Sequence, residues 1–361
     1  MNSRRVRLCA GTIVSGILFA FLLVLSIRQP LSGGRAADTL PGSLTDEEFW
    51  SLSERISEPD GFFRSNSGSR DNLLSNENTV STVAAELAGR MTAPGVYLGV
   101  GPEQNFTYIA AMRPRIAFIT DIRRGNLHLH LMYKAIFEMS PARVDFVGRL
   151  FNRKRPTSLT STSTASELMN AYFRTNPDNE AAFKANLKAI LDLLTKTHGF
   201  RLDEDDLAGI EYVYRNFYKF GPELHYTSSI GGRTGVSYGA LMSSRDSATG
   251  GERSYLASEN NFAVIKSLQS RNLIVPIVGD FAGPKALRAV GGFLREHGAT
   301  LTAFYVSNVE DYLQRNGVWP QFCANVGGMP INTMSIFIRP NGGRNASFVL
   351  IAQETARCAK R

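Results

Sequence analysis

The stretch that most constrains this chain lies between residues 95 and 121. Val96-Tyr97-Leu98-Gly99-Val100 is a short apolar run, Gly101-Pro102-Glu103-Gln104-Asn105 is a turn, and Phe106 to Met112 suits a helix. Arg115 to Ile119 is apolar again and leads into Asp121. Strand, glycine turn, helix and a second strand ending in an acid form a βαβ unit, which commits the chain to a parallel sheet with helices on its faces.

The same alternation resumes late in the chain. Asn261 to Leu268 reads as a helix, Leu273 to Val278 as a buried strand ending at Gly279-Asp280, and Pro284 to His297 as a helix closed by Gly298. Leu301 to Val306 is another strand, and Ser335 to Ile338 with Phe348 to Ile351 flank Pro340-Asn341-Gly342-Gly343 as an antiparallel hairpin would. Asn126 to Met139 is helical, and a helical insertion or lid is expected at about 140–225. There Asn176-Pro177 offers an N-cap and a first-turn proline ahead of the stripe Phe183, Leu187, Ile190, Leu191, Leu194. Asp203 to Asp206 then opens the next helix with negative charge. The expected class is α/β, a Rossmann-like, mostly parallel sheet closed by a C-terminal antiparallel hairpin.

Net charge is misleading until it is divided by position. The chain of 361 residues has 40 Lys+Arg and 32 Asp+Glu, but residues 1–36 hold five arginines and no acid, which leaves 35 basic against 32 acidic in the rest. A nearly balanced body lacks the concentrated basic face that displaces counterions, so no nucleic-acid partner is expected. The densest remaining basic cluster, Arg149, Arg153, Lys154 and Arg155, reads as a solvated helix end.

Leu8 to Ile27 is 20 residues long and uncharged. At about 1.5 Å per residue it reaches about 30 Å, the thickness of a bilayer's hydrocarbon core. Residues 8–27 are therefore expected to meet a membrane, with Arg4, Arg5 and Arg7 favouring a cytoplasmic N-terminus and a periplasmic body: a single-pass bacterial inner-membrane protein. The alternative is a signal segment cleaved near Gly34-Arg35-Ala36 and export of the remainder. Residues 28–75, rich in Pro, Gly and Ser, read as a flexible tether with one amphipathic piece, Asp46 to Ile56, and residues 76–361 as the folded domain. Of three cysteines, Cys323 and Cys358 can pair in an oxidising compartment or stay as two free thiols.

Candidate site residues follow from the carboxyl edge of a parallel sheet, where ligands of such folds bind. The turn Gly99–Asn105 can present backbone N–H groups to a polar or anionic ligand, so Gly99, Gly101, Gln104 and Asn105 are candidates; otherwise it is a structural turn. Asp121 stands where an acid can accept both hydrogen bonds of a ribose diol, or pairs with Arg123 or Arg124. Asp280 ends a later strand at the same edge, or caps the helix after it. Ser307 and Asn308 follow the next strand, with Ser307 as ligand contact or as cap of the helix at Val309, completed by Glu310. His128 and His130, two apart on a helix, face different ways, so no metal is expected. No sequence pattern marks a catalytic nucleophile.

The strings Gly95 to Ala111, Phe118 to Asn126, Ile274 to Lys285 and Phe304 to Leu313 together resemble a group of functionally uncharacterised bacterial proteins assigned by fold to the S-adenosylmethionine-dependent methyltransferase superfamily. The resemblance covers about residues 78–353 and implies the fold rather than a reaction. On such a fold Gly99, Gly101, Gln104, Asn105, Asp121 and Arg123 would hold S-adenosylmethionine, and Asp280, Ser307 and Asn308 would face an acceptor. The chain departs from active methyltransferases in two places: Tyr97-Leu98 replaces the acid before the first glycine, and Gln104 stands for the third glycine. A non-catalytic, extracytoplasmic ligand-binding or interaction module on the same fold is the competing expectation.

Overall fold

Six strands make one sheet. They are β1 (Val96–Val100), β2 (Ile116–Asp121), β3 (Ile274–Val278), β4 (Leu301–Tyr305), β5 (Ile336–Asn341) and β6 (Asn345–Leu350), in the order β3-β2-β1-β4-β5-β6. Every neighbouring pair is parallel except β5 with β6. β1, β2 and β3 are buried at every residue, which is why they read as unbroken apolar runs: helices cover both faces. This computed structural model describes residues 39–62, 71–90, 95–341 and 345–358. The apolar stretch 8–27 lies outside the described residues, among which no helix is long and apolar enough to cross a membrane.

Helices α1 (Asp46–Ile56) and α2 (Val80–Arg90) precede β1. α3 (Gln104–Met112) joins β1 to β2, and α4 (Arg124–Met139) leaves β2. The insertion then comprises α5 (Arg143–Leu150), α6 (Ala165–Phe173), α7 (Glu180–Asp192), α8 (Glu204–Phe220) and α9 (Tyr238–Met242), so it runs past residue 225 before α10 (Glu259–Ser270) returns the chain to β3. α11 (Ala286–Glu296) carries the chain from β3 to β4 on the far side of β1; α12 (Val309–Arg315) and α13 (Trp319–Gly327) join β4 to β5, and α14 (Ile351–Cys358) follows β6. The outgoing connections of β1 and β4 thus diverge, leaving a crevice at their carboxyl ends.

Local chemistry explains the helix starts, with one correction. Asp203 caps α8 by accepting from Asp206 N at 2.8 Å, as its acidic opening suggests. The cap of α7 is Asn179, accepting from Ala182 N at 3.0 Å, rather than Asn176. Pro177 is held extended by its bridge to Arg153, and Asp178 N donates to Asn152 O at 2.8 Å, so the helix cannot start earlier. The basic cluster is likewise structural: Arg153 donates to Tyr172 O (2.5 Å) and Thr175 O (2.6 Å), and Arg155 pairs with Asp145 at 2.9 Å.

The larger correction concerns the expected tether. α1 forms with the expected bounds, capped by Thr45 and Glu48, yet it belongs to the body. Phe49, Trp50, Leu52 and Ile56 are buried, and the Phe49 and Trp50 rings both lie 5.2 Å from Phe200. The outer edge of β3 supplies the polar reason. Ser53 Oγ donates to Pro276 O (2.5 Å), Val278 N donates to Ser57 Oγ (3.0 Å), and Glu58 N donates to Val278 O (2.8 Å). An apolar stripe that needs cover and an edge that needs partners satisfy each other. At the other end of the chain Cys323 and Cys358 are joined by a disulfide that ties α14 to α13.

Candidate functional site

A cavity of about 330 Å³ opens at the carboxyl edge, and the strand ends supply its floor. Gly101 and Gln104 come from the turn after β1, Asp121 and Arg123 from the end of β2, Asp280 from the end of β3, and Ser307 and Asn308 from the end of β4. The separated candidates therefore meet at one rim. Gly99 and Asn105 do not reach it.

The turn is packed from beneath by its own side chains. Asn105 Nδ2 donates to Val100 O (2.9 Å), Gly101 O (3.2 Å) and Pro102 O (2.8 Å), while its Oδ1 accepts from the Tyr97 hydroxyl at 2.7 Å. Tyr97, in the place of the missing acid, thus serves the turn rather than a ligand. Gly99 is glycine for this packing, since a Cβ there would fall 2.0 Å from Asn105 Oδ1. Gly101 is glycine for conformation, at φ +79°. Gln104 Nε2 donates to Val100 O (2.9 Å), and its Oε1 is buried without a partner.

Two buried ionisable groups lie behind the turn. Glu103 accepts from Ser75 N at 3.2 Å, and desolvation raises its pKa to about 8, so it carries a proton at neutral pH. His130 donates from Nε2 to Gly101 O at 2.9 Å, and burial lowers its pKa to about 4, which keeps the ring neutral. His128 turns instead to Asp206 at 2.8 Å. The two imidazoles serve different partners, and among the described residues no group of side chains is placed to hold a metal ion.

Asp121 lines the cavity and pairs with Arg123 as well. Its Oδ1 accepts from Arg123 N (3.0 Å) and Nε (3.1 Å), and Oδ2 from Nη2 (3.2 Å). The pairing fixes the carboxylate and leaves lone pairs for another donor. Asp280 Oδ1 accepts from Ala282 N at 2.9 Å, which makes a local turn and no helix cap. Ser307 is not the cap of α12 either. Asn308 holds that position, Ser307 sits at φ +48°, and its Oγ donates to Glu77 at 3.1 Å. Glu310 pairs with Arg339 at 2.6 Å instead of closing a capping box.

Tyr226 of the insertion, Tyr305 of β4 and residues of α12 and just beyond it, such as Tyr312 and Asn316, give further wall, and the rest comes from the segment before β1, in two pieces that form a belt along the rim. Residues 57–62 cross the ends of β3 and β2. Glu58 accepts from Asp280 N (2.9 Å), Lys285 N (2.8 Å) and Ala286 N (2.8 Å), so it takes the capping role expected of Asp280. Asp60 accepts from Arg124 N at 2.6 Å, Gly61 N donates to Ile122 O at 2.8 Å, and Phe62 forms part of the cavity wall. Residues 71–77 cross the ends of β1 and β4: Asn72, Ser75 and Asn76 line the cavity, and Glu77 accepts from the Tyr305 hydroxyl (2.9 Å) and Ser307. Burial raises the Glu77 pKa. These residues carry no local sequence signal; isolated acids in a polar stretch look solvated until the fold brings them over the sheet.

No curated protein matches the chain. A family model described as a domain of unknown function, DUF7790, matches residues 73–357, a span that takes in the whole sheet and the insertion but neither α1 nor Glu58. The chain belongs to this DUF7790 family.

Proposed function

We propose that the crevice binds a nucleoside-type small molecule, S-adenosylmethionine first among the candidates, and that the protein is a methyltransferase-like domain held at a membrane by residues 8–27. The observation that carries the reading is the position of Asp121: a fixed carboxylate at the end of β2, on the wall of a 330 Å³ cavity that continues past Gly101 to the end of β4. A carboxylate there suits a ribose diol. Phe62, Tyr226, Tyr305 and Tyr312 give apolar faces for a base, and Asn72, Asn308 and Asn316 give amides for its edges. Methyl transfer depends mainly on aligning nucleophile, methyl and sulfur, so it needs no catalytic dyad. The disulfide supports an oxidising compartment for the body, in keeping with the periplasmic side.

A second reading, binding without turnover, is favoured by the turn itself, where Tyr97 and Gln104, in the places of the acid and the third glycine, bond to Asn105 Oδ1 and Val100 O of the turn. Titrating the full chain with S-adenosylmethionine and adenosine by calorimetry tests both. Micromolar binding is expected, weakened about tenfold or more in Asp121→Asn through loss of a charged acceptor. It should also weaken in Asn316→Trp, which fills the rim from an exposed position. Absence of heat at millimolar ligand refutes the nucleoside reading. Formation of S-adenosylhomocysteine, followed by mass spectrometry with membrane extract as acceptor, separates enzyme from binding module.

A further inference from the structure

Ser307 has a backbone conformation that its residue type does not explain. Among the described residues, those other than glycine with positive φ are Asn72, Arg113, Asn152, Asn272 and Ser307. Asparagine tolerates the left-handed region, and Arg113 enters it as the C-cap of α3. Ser307, at φ +48°, has neither reason. It follows the end of β4 and lines the cavity, half-buried, with its Oγ donating to Glu77 Oε1 at 3.1 Å. Strain held at the wall of a cavity points to a side chain that must be aimed. Glu77 is itself fixed from two directions. Its N–H donates to Ser75 Oγ at 3.1 Å, and its Oε1 also accepts from the Tyr305 hydroxyl at 2.9 Å. The Tyr305 ring in turn lies edge-on to Tyr108, with centroids 5.1 Å apart. A hydroxyl, a carboxylate within hydrogen-bond reach of it and a third group that orients the carboxylate are the parts of an activated nucleophile. Burial raises the Glu77 pKa, the direction a general base needs.

We propose that the crevice holds a nucleophilic serine–glutamate pair, Ser307 with Glu77 as general base and Tyr305 as positioning residue, which cleaves a small carboxylic ester with an apolar acyl group. This goes beyond the nucleoside reading and uses neither Asp121 nor the glycine turn. Val309, Leu313 and Val318, from the chain that follows Ser307, give an apolar wall for the acyl group. Asn76 and Asn308, sequence neighbours of Glu77 and Ser307, bring amide donors to the same cavity for the carbonyl oxygen. In the first step Ser307 Oγ bonds to the carbonyl carbon, its proton passes to Glu77, and the carbonyl π pair moves to oxygen. Collapse of this adduct breaks the bond to the leaving oxygen, which takes the proton from Glu77. Water then attacks the acyl-serine and gives a proton to Glu77; Ser307 Oγ recovers that proton as the carboxylic acid departs. Ester and water become acid and alcohol.

A serine that only fastens residues 71–77 to β4 would make the same bond and show no reactivity. The full chain is therefore treated with an alkyl fluorophosphonate, a reagent that captures activated serines, and adducts are located by peptide mass spectrometry. Hydrolysis of p-nitrophenyl butyrate is followed in parallel. The expected results are an adduct on Ser307 and a hydrolysis rate that rises with pH as Glu77 ionises. Ser307→Gly suits the left-handed backbone, so it should keep a cooperative melt while losing both adduct and turnover. Glu77→Gln, checked for folding by circular dichroism, should slow both reactions about a hundredfold or more. Tyr305→Phe removes a hydrogen bond that favours the ionised carboxylate, so the rise in rate should move to higher pH, a change that a purely structural tyrosine would not produce. No adduct on Ser307 in the folded wild type, turnover unchanged in Ser307→Gly, or a folded Glu77→Gln as reactive as wild type would each overturn the proposal. Neither assay contains a nucleoside, so the outcome is independent of the S-adenosylmethionine titration.

Discussion

The rim of the crevice is made in two ways, and the two halves are held by different forces. Gly101, Asp121, Asp280 and Ser307 stand on strand ends, so their positions are set by the parallel ladder and by the buried faces of β1 to β4. Glu58, Asp60 and Glu77 come from a segment outside the ladder, and side-chain bonds to helix N-termini and to β4 groups hold them. A strand end moves only with the sheet. The belt can in principle detach while the sheet survives, unless α1 fastens it. Whether it does depends on how firmly α1 is docked.

The largest effect is expected from Phe49→Ala. Phe49 is fully buried beside Phe200, and truncation of such a ring costs about 3–5 kcal/mol. If α1 is one cooperative unit with the sheet, urea unfolding should shift as a single transition by that amount. A separate early transition, with the main midpoint unmoved, would show a belt that detaches by itself.

Glu103 sharpens the strand-end half through pH. Its ordinary value is 4.5 and its folded value about 8, so between these the unfolded chain loses a proton that the folded protein keeps. Stability is therefore full below 4.5 and declines as pH rises toward 8, by up to about 1.4 kcal/mol per pH unit. Glu103→Gln should remove that slope, and the gap between variant and wild type should widen across pH 5–8 in denaturant titrations; a constant gap would mean that Glu103 is ionised in the fold. His130 works in the opposite sense. Its value falls from 6.5 to about 4, so its contribution is lost as pH drops through that interval.

The smallest effect is expected from Asp60→Ala. Asp60 is exposed, and losing its bond to Arg124 N should cost about 0.5–1 kcal/mol in melting experiments. A loss several times larger would mean that this end of the belt carries more of the fold than its single bond suggests.

The strand-end half was legible because its signals are local. An apolar run followed by Gly-Val-Gly or by Asp marks a strand end wherever the strand pairs, and β1, β2, β3 and β4 appear where the alternation put them. Convergence of Asp121 with Asp280 followed from sheet topology alone. The belt was not legible, because what fixes Glu58 is the loop around Lys285, 227 residues away, and what fixes Glu77 is Ser307, 230 residues away. Composition pointed the wrong way there: Pro59 and Gly61 look like linker residues, yet Gly61 is glycine because a Cβ would fall 2.4 Å from Ile122 Cγ1. The helix Asp46–Ile56 was visible as an amphipathic piece, but periodicity does not say what an apolar stripe packs against. Asn179 displaced Asn176 for a similar reason, since the bridge from Pro177 to Arg153 is tertiary.

β3 is a border strand, and borders of this kind invite a second molecule to add its own strand. Pro276 removes one N–H from the exposed side, and Ser53, Ser57 and Glu58 use up the groups that remain at Pro276 and Val278. The first helix thus works as a stopper against intermolecular sheet growth. A chain trimmed to residue 73, where the shared family region starts, would bare this border and should self-associate at concentrations where the longer chain stays dispersed.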